Sequence, residues 1–320
     1  MKLIRPVFWG VVLLSPLRLP AQELYPNTEP ASNFPTKTIG LRIMSEWYDD
    51  GNGYVRNMNA LRLMYGLAPR LSVSLTAAMS NHHKQLLPED YPYHNTPERG
   101  VYKPYEFNGI SAYAKYRFLS KDEEKSHLRM AVYAEASTVS VAHDEGEPRL
   151  LDDTKGFGFG YIGTWLQRKF AASITLGAIF PGQYKGAQPD VVRTMPDIPT
   201  RVRYGNAINY SLSMGYLLLP KTYRDYRQAN LNVYLELMGK YYGDTKVWVR
   251  PQGVPEYLVD NALIPPALRK GFYMDIVPGL QLILNSNTRI DFSVNFKGWH
   301  YSYARLYPQF NIGLQHYFYL

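Results

Sequence analysis

The stretch Tyr65–Ser80 reads YGLAPRLSVSLTAAMS, and after its Pro69-Arg70 turn every second residue is apolar. The apolar positions are Leu71, Val73, Leu75, Ala77 and Met79. Most of the positions between them carry serine or threonine, and this period of two predicts a β-strand with one apolar and one polar face. A soluble sheet buries the apolar face, whereas a transmembrane barrel turns it toward lipid and turns the polar face toward the lumen. The pattern of strands and connections along the rest of the chain distinguishes these two orientations.

The same alternation recurs along the chain, in segments of about ten residues that are bounded by turn-forming residues. We predict twelve strands, at residues 38–48, 59–67, 71–80, 109–118, 128–140, 156–166, 170–180, 206–219, 229–242, 272–284, 289–299 and 308–320. A bulge is expected at Pro278, because proline removes a ladder donor. Every second connection is short, and the longest ones are 81–108, 181–205 and 243–270.

Sorting of connections into short turns and long loops is typical of an all-β, transmembrane, antiparallel up-and-down barrel. A soluble sandwich has no reason to sort its loops in this way. An even strand number leaves both termini at the short-turn end, which in an outer membrane is the periplasmic side. Closure also pairs every strand edge, as a lipid environment requires.

The N-terminus predicts export. Residues 1–21 begin with Lys2 and Arg5, continue with an apolar run and end at Ala21, which is typical of a cleaved signal peptide. The sequence contains no cysteine, so a lipoprotein anchor is excluded, and no run of about 20 apolar residues predicts a membrane-spanning helix. We therefore divide the chain into a signal peptide at 1–21, a periplasmic, proline-rich segment at 22–36 that is a candidate plug, and an outer-membrane barrel at 37–320.

The composition supports a membrane protein that does not bind nucleic acid. The 28 tyrosines combine an apolar ring with a polar tip, which suits a membrane interface. The formal charge of +8 is scattered along the chain and forms no basic run. No motif for a cofactor is present, and the run DDGNG, residues 49–53, lacks the glutamate that would close a calcium loop.

The C-terminal sequence FNIGLQHYFYL, at residues 310–320, resembles the terminal strand of outer-membrane proteins of Gram-negative bacteria. His316, and Leu320 in place of the usual phenylalanine, depart from that pattern. The resemblance implies that the barrel-assembly machinery recognises this strand. It also implies outer-membrane lipid and lipopolysaccharide as the surroundings of the barrel.

Two further stretches carry a narrower resemblance. EPASNFPTKTIGLRIMSEW, at residues 29–47, followed by YGLAPRLSVSL looks like barrels of Bacteroidetes. The pair is also similar to the family called the meta-pathway of phenol degradation, whose early hairpins carry a comparable Tyr-Gly-Leu-x-x-Arg turn. That resemblance implies a porin-like transporter, for which aromatic or hydrophobic compounds are one class of solute.

Charged residues occupy the polar parity of the predicted strands, where facing lipid would cost about 2–4 kcal/mol each at mid-depth. The predicted lumen-lining residues are Arg42, Glu46, Arg62, Tyr113, Lys115, Arg117, Arg129, Tyr133, Glu135, Glu236, Lys240, Asp275, Asp291 and Lys297, and Arg289 shares their parity. Eight of the charged members are positive and five are negative. This excess favours anionic solutes.

Three functions are compatible with such a chain. The first is a narrow porin-like channel for small solutes, either anionic or aromatic and hydrophobic. The second is a structural or adhesion barrel whose long loops bind a partner. The third is a lipid hydrolase, but the run Ser80-Asn81-His82-His83 holds the right residue types in the wrong order for a nucleophile and its base. We therefore predict a channel with no catalytic residue, no metal and no cofactor.

Overall fold

The computed structural model describes residues 25–49, 55–81, 105–139, 155–187, 199–222, 227–264, 269–301 and 306–320. The predicted signal peptide, most of the loop 81–108 and both histidines of the Ser80–His83 run lie outside the described residues. Within the described residues, no helix is long and apolar enough to cross a membrane.

Twelve antiparallel strands close into a barrel. They are β1 (Thr38–Asp49), β2 (Val55–Ala68), β3 (Leu71–Ser80), β4 (Glu106–Asp122), β5 (Ser126–Val139), β6 (Gly156–Gln167), β7 (Phe170–Pro181), β10 (Ala207–Leu219), β11 (Asn230–Tyr242), β14 (Gly271–Leu284), β15 (Thr288–Tyr301) and β16 (Gln309–Tyr319). Their order around the barrel is β1-β16-β15-β14-β11-β10-β7-β6-β5-β4-β3-β2. The fold class and strand number predicted from alternation are thus confirmed.

The barrel closes between its first and last strands. Thr38 stands opposite Tyr319 in the β1–β16 register, and the Leu320 amide donates to the Lys37 carbonyl at 3.2 Å. The start of β1 and the end of β16 therefore lie at the same end of the barrel as the short turns, such as Pro69-Arg70 and Arg168-Lys169. We call this the short-turn end and the opposite one the long-loop end.

The strand β3 shows which face of the barrel wall is apolar. Leu75 is 50% exposed on the outside of the barrel, whereas its neighbours Ser74 and Thr76 are buried inside. The same pattern holds on other strands, where Ile174 and Phe292 are outward and exposed while Ser173 and Ser293 are buried. An apolar outer face and a polar inner face are the reverse of a soluble sandwich.

Two of the expected loops contain strands that the sequence reading missed. Four short strands, β8 (Gln183–Ala187), β9 (Pro199–Arg203), β12 (Lys246–Val249) and β13 (Tyr257–Leu258), form a separate sheet in the order β13-β12-β9-β8. They fall in the predicted loops 181–205 and 243–270, so that part of the prediction was wrong. The strands are only two to five residues long, too short for period-two alternation to be recognised among prolines and glycines. Their core is a cluster of Tyr184, Val202, Tyr204, Val247, Val249, Val259 and Ile264.

The expected irregularity at Pro278 lies on one side of its strand. On the β11 side, Pro278 stands opposite Leu235 in regular register. On the β15 side, the register shifts between Met274 and Asp275, and the paired positions then step from Ile276 directly to Gly279. The strand thus keeps one complete ladder while the other is interrupted around the proline.

Candidate functional site: the barrel lumen

The residues just before β1 lie inside the barrel. We call Tyr25–Thr36 the inner segment. Tyr25, Ala31, Asn33 and Phe34 in it are each at most 5% exposed, although the segment belongs to no strand. A proline-rich stretch can fill the lumen in this way only if wall side chains bond its backbone and polar groups.

The inner segment enters at the short-turn end. The Lys37 amide donates to the Gly66 carbonyl at 3.0 Å, and the Thr38 amide donates to the Pro35 carbonyl at 3.2 Å. Phe34 packs against Met64 and against the ring of Tyr317, with ring centroids 5.7 Å apart. The position of Gly66 has no room for a side chain, because a Cβ there would overlap the Pro35 carbonyl group.

Midway along the barrel, Glu29 of the inner segment meets two cations of the wall. Its Oε1 lies 2.6 Å from Nη1 of Arg62 on β2, and its Oε2 lies 3.1 Å from Nζ of Lys115 on β4. Burial acts to raise the pKa of Glu29, but the charges of Arg62 and Lys115 outweigh it and hold this pKa below its usual range. Glu29 is therefore ionised and joins the segment to two strands at once.

Glu236 on β11 binds the same segment through neutral donors. Its Oε1 accepts from the Thr28 amide at 3.0 Å and from the Thr28 hydroxyl at 2.7 Å. Its Oε2 accepts from the Asn27 side-chain amide at 2.7 Å and from the Asn27 backbone amide at 3.3 Å. Four donors from two consecutive residues converge on a carboxylate that is 0% exposed.

Further wall residues contact the segment along its length. Arg42 on β1 donates to the Pro26 carbonyl, and its Nη2 lies 4.0 Å from Oδ2 of Asp291. Arg129 on β5 donates to the Ser32 hydroxyl at 2.8 Å, and the Ala31 amide donates to the Thr164 hydroxyl at 2.9 Å. Tyr25, at the start of the segment, packs against Ala171 and Tyr234. Since Ala171 is the second residue of β7 after a short turn, the segment rises to mid-barrel and returns toward the short-turn end.

A cavity of about 360 Å³ lies between the inner segment and the long-loop end. Its floor is formed by the segment residues Pro26–Glu29. The charged residues that line it are Glu29, Arg42, Glu46, Arg62, Glu135, Lys240 and Asp291. With three cations and four carboxylates, this half of the lumen does not show the positive excess of the whole inward set.

Tyrosines and side-chain amides form opposite parts of the cavity wall. Tyr113 and Tyr133 stack with ring centroids 5.3 Å apart, and Tyr133 also bonds Asn209, whose side-chain amide donates to its hydroxyl at 3.0 Å. On the other side, the Asn311 amide donates to Asn295 at 2.9 Å and the Asn295 amide donates to Gln309 at 3.2 Å. The Asn295, Asn311 and Gln309 side chains bond across one pair of adjacent strands, whereas Tyr133 on β5 reaches Asn209 on β10 across β6 and β7.

The structure divides the predicted lumen residues into groups. Those that line the cavity are Arg42, Glu46, Arg62, Tyr113, Tyr133, Glu135, Lys240 and Asp291. Those that contact the inner segment are Arg42, Arg62, Lys115, Arg129 and Glu236. Asp275 is buried and accepts from the Tyr307 hydroxyl, and Arg117 donates to the Pro69 carbonyl at the short-turn end. Lys297 is exposed near the end of β15 and does not line the cavity.

The sequence reading did not identify Asn27, Thr28 and Glu29 as site residues. The only signal was a polar stretch between prolines, placed directly before the first strand. In the described part of the chain, no three His, Cys, Asp or Glu side chains come together in a way that could hold a metal ion.

Comparison with known proteins supports the fold. The chain is similar to the crystal structure of an outer membrane channel from Pseudomonas putida F1, with a TM-score of 0.53 and 13% identity over 92% of this chain and 100% of that chain. The KdgM porin (TM-score 0.40, 8% identity, 87% of this chain and 98% of that chain) and the NanC porin (0.42, 8%, 88% and 99%) are more distant. No protein-family model and no curated protein sequence matches the chain. At this level of identity, the comparison establishes a shared barrel fold.

Proposed function

We propose that this protein is a porin-like channel of the outer membrane, that small solutes pass through its lumen, and that the inner segment is a plug which restricts this path. In this proposal the short-turn end and both termini face the periplasm. Outer-membrane lipid and lipopolysaccharide surround the barrel, and the assembly machinery recognises its C-terminal strand.

The proposal rests on one observation. The lumen wall is polar, and the inner segment that fills part of the lumen belongs to no strand of that wall. The segment is held in mid-barrel by side chains such as Arg62, Lys115 and Glu236. The cavity above it already occupies the other half of the lumen. Displacing a segment held in this way leaves the strand ladders intact, so a path can open while the barrel stays closed.

Conductance in planar lipid bilayers tests the proposal. The natural chain is compared with a variant that lacks residues 22–36, which keeps the whole β1–β16 ladder from Thr38 onward. We expect small conductance for the natural chain and a several-fold larger one for the variant, because the charged wall then lines a continuous wet path. Absence of conductance and of solute uptake into liposomes for both chains would refute the channel hypothesis. Circular dichroism in detergent verifies that the variant is a folded barrel.

A binding role for the long-loop end is the second candidate, and the additional sheet favours it. The sheet contains an ion pair between Arg201 and Glu256 at 2.6 Å and has its own apolar core, so that end presents a folded surface. Shortening this sheet while keeping the barrel separates the two functions. A loss of cell-surface binding with unchanged conductance would support adhesion, whereas the opposite result would support the channel alone.

A further inference from the structure

We propose that Arg62 and Lys115 form a binding site for the carboxylate group of a small solute, and that Glu29 occupies this site as an internal competitor while the plug is in place. This inference rests on the proposed function and names the solute class and the regulation of the same lumen. The ligand class is a small monocarboxylate.

The two cations are arranged as a clamp for one carboxylate. Each oxygen of Glu29 meets a different cation, at 2.6 Å for Arg62 and 3.1 Å for Lys115. The wall itself orients Arg62, whose Nε and Nη2 both approach the Ser74 hydroxyl, at 3.1 and 3.0 Å. The strand between the two cations, β3, points only small side chains inward, which leaves space for the anion.

The two cations of the clamp favour an anion between them when Glu29 is displaced. Arg62 stands directly opposite Arg42 in the β1–β2 register, and like charges in this position are destabilising. Asp291 lies near Arg42, and Glu29 bridges Arg62 and Lys115. Lys115 is 1% exposed, and a buried charge that loses its partner is strongly unfavourable. A solute carboxylate can therefore replace the Glu29 carboxylate with the same contacts.

The surroundings of the clamp define the solute further. Glu29 and Arg62 both line the cavity, so the clamp is reached from the open half of the lumen. The Arg62 guanidinium lies 5.5 Å from the centroid of the Tyr113 ring, which provides an apolar contact beside the carboxylate site. This arrangement accommodates a short carbon chain attached to the carboxylate. Propionate, which reproduces the glutamate side chain, is the matched probe.

Binding of propionate to the full-length protein in detergent, measured by calorimetry, tests the inference. The Glu29→Ala variant removes the competitor and leaves a space continuous with the cavity. We expect it to bind propionate at least tenfold more tightly than the natural chain, and to bind neutral propionamide no better than the natural chain does. The gain should disappear in the double variant Glu29→Ala/Arg62→Gln. Glu135→Ala is the control, because it removes an equal charge from the cavity wall while Glu29 still fills the clamp.

Equal propionate affinity in Glu29→Ala and Glu135→Ala would overturn the inference, as would a gain that survives the loss of Arg62. If Glu29→Ala fails to fold, Glu29→Gln, which keeps the size of the side chain and removes its charge, takes its place with the same expected direction. Bilayer conductance is measured on the same samples. Tight propionate binding without conductance would refute the channel and keep the clamp, and conductance without binding would do the reverse.

Discussion

The two halves of the lumen are built on one wall but satisfy their charges in different ways. In the short-turn half, wall residues such as Lys115 and Glu236 bond main-chain and side-chain groups of the inner segment. In the long-loop half, wall residues such as Asn295 and Asn311 bond neighbours on adjacent strands. The first half is filled by a separate piece of chain, and the second keeps a cavity.

The two halves therefore differ in how far apart in sequence their bonded residues are. A contact between neighbouring strands is fixed by register, whereas a contact with the inner segment joins residues up to 266 positions apart, as Asn27 and Ser293 are. Substitutions in the short-turn half should therefore release the segment. Substitutions in the long-loop half should change the cavity and leave the segment in place.

The largest effect is expected for Glu236→Ala, which removes the acceptor of four hydrogen bonds from Asn27 and Thr28. Hydrogen bonds to a charged group contribute about 1.5–3 kcal/mol each, although released donors regain bonds to water. The natural chain has no cysteine, so a single cysteine introduced at the buried Ser32 reports segment release through its rate of thiol labelling. We expect Glu236→Ala to raise this rate by at least tenfold, which corresponds to about 1.4 kcal/mol.

Glu135→Ala is the corresponding change in the other half, because Glu135 is also a carboxylate of the inner wall but lines the cavity and is only partly covered. It should alter the labelling rate of the cysteine at position 32 less than twofold. An equal increase for Glu135→Ala and Glu236→Ala would show that loss of any lumen carboxylate releases the segment, and the distinction between the halves would fail.

A smaller release is expected for Gly66→Ala, where a Cβ would overlap the Pro35 carbonyl group at the entry of the segment. Because the backbone cannot yield as a flexible side chain does, the entry must shift while Glu236 still holds Asn27 and Thr28. We expect a three- to tenfold increase in labelling. Gly163→Ala is the control, since the nearest atom to its Cβ is the Tyr161 hydroxyl at 3.3 Å. Similar labelling in the two variants would contradict a tight entry at Gly66.

The sequence predicted the wall much better than its contents. Alternation along Leu71–Ser80 and most of the eleven other segments is a local pattern, so strand number and the grouping of the short turns followed from it. Inward parity followed too, except in the glycine-rich strand 156–166, where the sequence assigns none. The contacts of Glu29 with Arg62 and Lys115 are not local, and a polar stretch between prolines carries no period that indicates its partners. The additional sheet was missed for a related reason, because its strands are too short to show a period.

In the long-loop half, Ala60→Trp should act on the path alone. Ala60 lines the cavity and is 4% exposed, so an indole there fills part of about 360 Å³. We expect the conductance of the variant that lacks residues 22–36 to fall by about half when this substitution is added, and we expect no rise in labelling at position 32 in the full-length chain. Unchanged conductance would place the solute path away from this wall.

The smallest effect is expected for Asn311→Ala, which removes one hydrogen bond to Asn295 in the long-loop half. A neutral hydrogen bond contributes about 0.5–1.5 kcal/mol, and Asn311 borders the cavity, where water can replace the lost group. The free energy of unfolding by urea in lipid vesicles should fall by at most about 1 kcal/mol. The labelling rate at position 32 should stay unchanged.

The equivalent asparagine in the short-turn half is Asn27. Asn27→Ala removes the 2.7 Å side-chain hydrogen bond to Glu236 and the longer one to Ser293 at 3.4 Å, but it keeps the backbone amide of the segment. It should raise labelling at position 32 about threefold, because a charge-assisted hydrogen bond is roughly twice as strong as a neutral one. If Asn311→Ala raised labelling as much as Asn27→Ala does, the amides of the long-loop half would also stabilise the inner segment. The lumen would then be one cooperative unit, and a solute in the cavity could release the plug without reaching Glu29.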